Sequence, residues 1–187
     1  MVIDGNLSIY ATGNVNFNAG VTINQGGSLR IFSANQVAFN GGELILNPIT
    51  LNATTSPAGD SGDLYLETNS LQFPALDNSV RATGMGAEFT IRPTSTSRPI
   101  LLFSPAGASG EAALDLSTTL MDKVATSTFS KIVVGHESGG HATATSPLRV
   151  GATNAPDQFS VMTALELYGG QITFEAYSNP TFVFAVN

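Results

Sequence analysis

The chain contains no cysteine and no tryptophan. Without cysteine there is no disulfide framework and no thiolate metal site, and the redox compartment leaves no trace in the sequence. Charge is also scarce, at 11% of residues, where roughly 25% is usual for soluble domains. Basic residues are scarcest: seven Lys and Arg face fourteen Asp and Glu, for a formal net charge of −7, and the only lysines are Lys123 and Lys131. That balance excludes an electrostatic footprint for nucleic acid. Runs of like charge are missing too, so a disordered acidic tail is excluded. No apolar run approaches the roughly 20 residues of a membrane-spanning helix. The N-terminus reads Met1-Val2-Ile3-Asp4, with no basic segment leading into an apolar one. The expectation is a chain without a signal peptide, either cytoplasmic or cut from a larger exported protein.

What is present is 42% hydrophobic residues separated by Ser, Thr, Asn and Gly in a chain of 187 residues. The length fits one domain over residues 1–187. Hydroxyls and amides supply the polar surface, as in secreted β proteins whose strands favour Thr and β-branched residues. An internal repeat organises the first part. Gly5-Asn6-Leu7-Ser8-Ile9 aligns with Gly27-Ser28-Leu29-Arg30-Ile31 at an offset of 22. At the same offset Val15 meets Val37, Phe17 meets Phe39, Asn18 meets Asn40, Gly20 meets Gly42 and Ile23 meets Ile45. Each unit holds three apolar–polar–apolar segments: Leu7-Ser8-Ile9, Val15-Asn16-Phe17 and Val21-Thr22-Ile23. Period-2 alternation marks strands with one buried face. Asn, Gly, Ala and Ser between them tolerate turns and left-handed backbone.

Three short strands per repeat predict an all-β fold, a parallel β-helix (β-solenoid) with coils of about 22 residues. Equivalent inward residues then stack from coil to coil, so Leu7, Ile9, Val15, Phe17 and Ile23 should lie against Leu29, Ile31, Val37, Phe39 and Ile45. The alternation resumes at Leu64-Tyr65-Leu66, Leu71-Gln72-Phe73, Phe89-Thr90-Ile91, Pro99–Phe103, Ile132-Val133-Val134, Leu148-Arg149-Val150, Leu165-Glu166-Leu167, Ile172-Thr173-Phe174 and Phe182-Val183-Phe184. Residues 53–63 and 136–147 read as loop insertions. Over 117–125 the rhythm changes: Ser117 is a candidate N-cap, and Leu120, Met121 and Val124 fall at helical spacing, which predicts one short helix.

Phe89-Thr90-Ile91-Arg92-Pro93, Arg98-Pro99-Ile100, Leu114-Asp115-Leu116-Ser117 and Lys131-Ile132-Val133-Val134-Gly135 together carry a resemblance. Over about residues 85–150 the chain resembles the repeats of filamentous-haemagglutinin-like bacterial surface adhesins, exported by two-partner secretion, and of related giant repeat proteins. Their pattern has an L-T-I-x-P strand, an R-x-I strand, a helix-like turn and a G-F-x-x-I-V-I-G strand. Here Thr128-Phe129-Ser130 stands where that pattern has Gly-Phe. The resemblance implies a right-handed coil in an extracellular or cell-surface filament.

Candidate chemistry is thin. His136-Glu137-Ser138-Gly139-Gly140-His141 lacks the i, i+4 histidine spacing of a zinc protease, and its glycine pair forbids a stable helix. It reads as a turn. Gly59-Asp60-Ser61-Gly62-Asp63 has the look of a serine-protease nucleophile loop but no base nearby in sequence. Asp60 and Asp63 are the only candidates for a shared calcium ion, without the regular spacing of calcium-binding repeats. Gly84-Met85-Gly86 lacks the third glycine and the helix of a dinucleotide site. The Thr-rich stretches 94–97 and 143–145 do not recur on every coil, as an ice-binding face requires. No catalytic, cofactor-binding or metal residues are assigned.

Phe17, Phe39, Phe73, Phe89, Phe174 and Phe184 fall at inward positions. That favours a structural or adhesive rod that joins end to end or belongs to a longer fibre, with itself or adjacent segments as partner, no nucleic acid and no membrane span. The alternatives are a module binding a glycan or host protein through its loops, or a polysaccharide-acting enzyme. Exposed aromatics would favour the former and clustered carboxylates the latter.

Overall fold

The computed structural model describes residues 1–47, 61–104, 112–136, 145–151 and 161–174. Strands dominate it: β1 Val2–Asp4, β2 Leu7–Ala11, β3 Val15–Phe17, β4 Val21–Asn24, β5 Leu29–Phe39, β6 Leu44–Leu46, β7 Leu64–Gln72, β8 Val80–Ala82, β9 Glu88–Arg92, β10 Ile100–Leu102, β11 Leu114–Leu116, β12 Lys131–Gly135, β13 Pro147–Val150, β14 Ala164–Tyr168 and β15 Gln171–Phe174. A single helical turn, α1, spans Thr118–Met121, and a 3₁₀ turn spans Thr126–Thr128.

Among the described residues the strands form three sheets, and every strand pairing is parallel. The largest has seven strands, in the order β14-β12-β9-β7-β5-β2, with β3 also pairing β5. The others are β1-β4-β6-β8 and β11-β10-β13-β15. Register makes straight rows. Leu7, Leu29, Leu64, Phe89, Ile132 and Leu165 form one inward row; Ile9, Ile31, Leu66, Ile91, Val134 and Leu167 form the next. Alternation along each strand puts these residues on the face that packs against the other sheets, where they belong to one core cluster. Phenylalanines run through that core at ring spacings of 4.8 Å for Phe17–Phe39, 6.0 Å for Phe39–Phe73, 6.1 Å for Phe73–Phe89 and 5.8 Å for Phe89–Phe129.

Four of the five expected repeat contacts are in register: Leu7 with Leu29, Ile9 with Ile31, Val15 with Val37 and Phe17 with Phe39. The fifth is corrected. Ile23 pairs with Leu46, and Ile45 pairs with Thr22 on the outward face. The cause is one extra residue at the second corner. Asn18 and Asn40 stay joined side chain to side chain at 3.0 Å, but Val21 N–H donates to the Glu43 carbonyl at 2.8 Å, after the left-handed Gly42 (φ +71). A slip of one residue turns the strand over, so Leu44 and Leu46 are buried and Ile45 is half-exposed.

The corners are held by polar side chains. Asn24 donates to Asp4 at 2.9 Å, Asn47 donates to Asn24 at 2.9 Å, and Thr83 donates to Asn47 at 2.7 Å. A second column is made of glycines. A Cβ on Gly27 would lie 2.8 Å from the Gly5 Cα and closer still to its carbonyl, and one on Gly62 would run into Gly27. The repeat glycines at 5 and 27 therefore mark backbone approaching backbone.

The helix over 117–125 is shorter than its spacing suggested. Ser117 caps it, its Oγ accepting from Leu120 N–H at 3.3 Å. After one turn Val124 leaves it to bridge Val80. Met121 and Val124 are buried as expected, but as two separate elements. The Leu114-Asp115-Leu116 segment, which the resemblance assigned to a helix-like turn, is a strand paired with β10. Phe174 keeps its place opposite the buried Val150 but is 46% exposed, so it is not the inward core residue expected. Phe182–Phe184 lie outside the described residues.

Candidate functional site

The outward face of the seven-stranded sheet carries side chains that alternation treats as mere surface. One outward row contains Tyr10, Phe32, Glu67 and Arg92; its neighbour contains Ser8, Arg30, Tyr65, Thr90, Val133 and Glu166. In-register strands place equivalent side chains about 4.8 Å apart, close to the thickness of an aromatic ring contact. Tyr10 and Phe32 accordingly stack at 4.7 Å with planes 3° apart. Phe32 meets Tyr65 at 5.2 Å, and the Arg92 guanidinium lies 5.0 Å from the Tyr65 ring centroid. The stripe passes from an open ring, Tyr10 at 75% exposure, to a cation.

Glu67 ties the charged end together. It accepts from Arg92 Nε at 2.9 Å and from the Tyr65 hydroxyl at 3.1 Å, and it forms an ion pair with Arg92 Nη2 at 2.7 Å. Burial pushes the Tyr65 phenol up to about 12, with Arg92 opposing. Beyond it Lys131 sits between Glu88 at 3.3 Å and Glu166 at 3.4 Å, and its bond to Glu88 holds the ammonium above its ordinary range. The Tyr168 hydroxyl donates to Glu166 at 3.1 Å. The carboxylates of this face are thus engaged with cations and phenols rather than presented as a bare pair.

His136 follows β12 at the edge of the same face. Burial, then the charge of Arg92, lowers its pKa from the usual value, and its Nε2 is buried without a hydrogen-bond partner. His141 and Glu137 lie outside the described residues, as does Asp60. Asp63 is described, and its carboxylate accepts from Glu88 N–H at 3.0 Å while its own N–H donates to Ser28 Oγ at 3.0 Å. That makes it a tie between strands. Ser61, buried, donates to the Leu46 carbonyl at 3.1 Å and accepts from Gly84 N–H at 2.8 Å. Residues 61–63, the described end of the expected 53–63 insertion, are packed into the corner. At the far end of the other expected loop, Ser146 is buried and Pro147 opens β13. Among the described residues no group of three His, Asp or Glu could hold a metal ion, and no helix is long and apolar enough to cross a membrane.

Sequence reasoning placed Phe17, Phe39, Phe73 and Phe89 against the core and passed over Tyr10, Phe32 and Tyr65. The signal was there, since Tyr10 and Phe32 obey the same repeat offset at an outward position. Comparison with family models, with curated proteins and with solved structures returned no match.

Proposed function

We propose that this chain is a right-handed parallel β-helical segment of an extracellular or cell-surface fibre, an adhesin-type rod that does no catalysis. It joins end to end with copies of itself or belongs to a longer rod. The observation that carries the reading is the pair of inward rows running in register through six parallel strands. Such rows extend indefinitely by adding equivalent strands, as a fibre needs. The glycine and asparagine columns at the corners support it, because each holds successive strands at one spacing. Low charge and the resemblance over residues 85–150 agree with it. Antibody labelling of intact cells of the source organism tests it: signal on surface filaments is expected, and signal only after lysis refutes it.

A second reading, a binding module, gains from the outward stripe. Tyr10, Phe32, Tyr65 and Arg92 offer aromatic surface beside hydrogen-bonding groups, which suits a neutral glycan. Saturation-transfer NMR with a panel of neutral oligosaccharides tests it. Tyr10→Ala should remove the transfer signal, and a signal unchanged by that substitution refutes it.

A further inference from the structure

We infer that the chain docks head to tail on a second copy of itself, the β14 edge of one copy pairing with the β2 edge of the next. This rests on the β-helical reading above. Inside the large sheet, Leu29, Leu64, Phe89 and Ile132, and likewise Ile31, Leu66, Ile91 and Val134, are fully buried. The end members of those same rows, Leu7, Ile9, Leu165 and Leu167, are only partly buried. Among the described residues each has a strand on one side only. The exposure continues into the neighbouring strand at both ends. Val15 and Phe17 in β3 are half-exposed, and Ile172 and Phe174 in β15 are 39% and 46% exposed.

The two ends match each other. Leu7-Ser8-Ile9 lies at one end of the seven-stranded sheet and Leu165-Glu166-Leu167 at the other, and their inward residues belong to the same two rows. Successive strands inside that sheet already meet through this pattern. All pairings are parallel, so the edges of β2 and β14 run in the same direction and join without reversal. The backbone phase also agrees. Leu7 N–H donates forward to the Ser28 carbonyl, and Leu29 N–H donates forward to the Asp63 carbonyl, both at 2.9 Å. By the same geometry Leu165 N–H meets the Asn6 carbonyl of the second copy, and that copy's Ser8 N–H meets the Leu165 carbonyl. Tyr168 then comes over Tyr10, on the ring face opposite Phe32. A contact between unlike ends does not close on itself and propagates as a filament.

Sedimentation velocity at rising concentration, with negative-stain electron microscopy, tests this on the full chain. Mass growing with concentration and filaments one rod wide are expected. Ser8→Pro removes a donor from the free edge of β2 and leaves the Leu7 donor to β5 intact; Ile172→Lys places a charge on the opposite end. Each should abolish growth with an unchanged melting curve, and should one fail to fold the other decides. Variants that associate like the parent overturn the inference by moving the contact to another surface. A parent that stays monomeric with the small-angle scattering of a rod overturns the inference and leaves the β-helical reading standing. A monomer with a compact, isotropic scattering profile overturns both.

Discussion

Adding one methyl group at Gly27 should unravel more of this fold than deleting most of a large surface side chain. The new Cβ would lie 2.8 Å from the Gly5 Cα and nearer to its carbonyl. Carbon atoms rest at about 3.5–4.0 Å, so the two backbones must part by about 1 Å. No side chain can swing aside, because the obstruction is main chain. The bonds that clasp this corner are Leu7 N–H to the Ser28 carbonyl at 2.9 Å, Gly5 N–H to the Asn24 carbonyl at 3.2 Å, and Ser28 N–H to Asn6 Oδ1 at 2.7 Å. Stretched by about 1 Å, two or three of them leave hydrogen-bond range, each costing about 0.5–1.5 kcal/mol. Gly27→Ala should therefore lose about 2–4 kcal/mol. Gly13→Ala is the control: nothing lies within 4 Å of its Cβ, and its φ is outside the left-handed region. It should be neutral or stabilise by about 0.4–1 kcal/mol through the unfolded chain. Urea unfolding of both variants, followed by circular dichroism and intrinsic tyrosine fluorescence, measures the difference. Gly27→Ala unfolding within about 0.5 kcal/mol of the parent would refute the close-packed corner.

Phe39→Ala, buried between Phe17 and Phe73, should cost about 3–5 kcal/mol by the same denaturation measurement. The corrected register makes opposite demands on neighbours: Leu46→Asp should prevent folding, while Ile45→Thr should leave the denaturation midpoint nearly unmoved. Tyr65 should ionise well above the ordinary phenol range in an ultraviolet titration. Its folded pKa lies above the unfolded value of 10.0, so this phenol's contribution is complete below pH 10 and is lost as pH rises toward about 12. His136 works in the other direction. Its folded pKa is lowered below 6.5, so its contribution is present above that pH and lost as acidification protonates the unfolded chain first; melting temperatures of His136→Gln should lack that acid slope. EDTA should leave the melting temperature unchanged, and a fall of more than about 10 °C would reveal a structural ion among Asp60, Asp63 and the two histidines.

The stretches 7–17 and 29–39 were legible because they match in length and internal spacing. With equal lengths, a fixed offset converts directly into spatial pairing, and the partners of Leu7, Ile9, Val15 and Phe17 could be read off without a structure. One inserted residue near Gly42 defeated the same method at Ile45. The run Leu44-Ile45-Leu46 is apolar at all three positions, so alternation had no vote on which way it faces. Later passes differ in length, and there the pairings of Leu64 with Phe89 or Phe89 with Ile132 cannot be found from an offset. Val80–Ala82 was missed because its inward residues are small and its centre is Arg81, paired outward with Glu43. Leu114–Leu116 had the alternation of a strand, but the resemblance outweighed it.

The candidate site was harder to see for a reason built into the architecture. In a sheet of parallel strands in register, an outward side chain never acts alone, because its equivalents stand one strand spacing away. A single exposed tyrosine such as Tyr10 is unremarkable surface. Placed above Phe32, which lies beside Tyr65 and through it Arg92, it becomes the first member of a continuous stripe. The corner asparagines behave alike: Asn24 is an ordinary turn residue in sequence and the middle of a hydrogen-bonded column in space. Such a face is built from rows, and a row is defined by register. Register here depends on corner length, which one glycine can change. Inserting a single residue between Phe39 and Leu44 should therefore alter the pairing of β6 and leave the Tyr10–Phe32 stack untouched, since β2 and β5 precede the insertion. Deleting one residue between Ala11 and Leu29 should instead disturb the Tyr10–Phe32 stack and leave Phe32, Tyr65 and Arg92, which all follow the deletion, together.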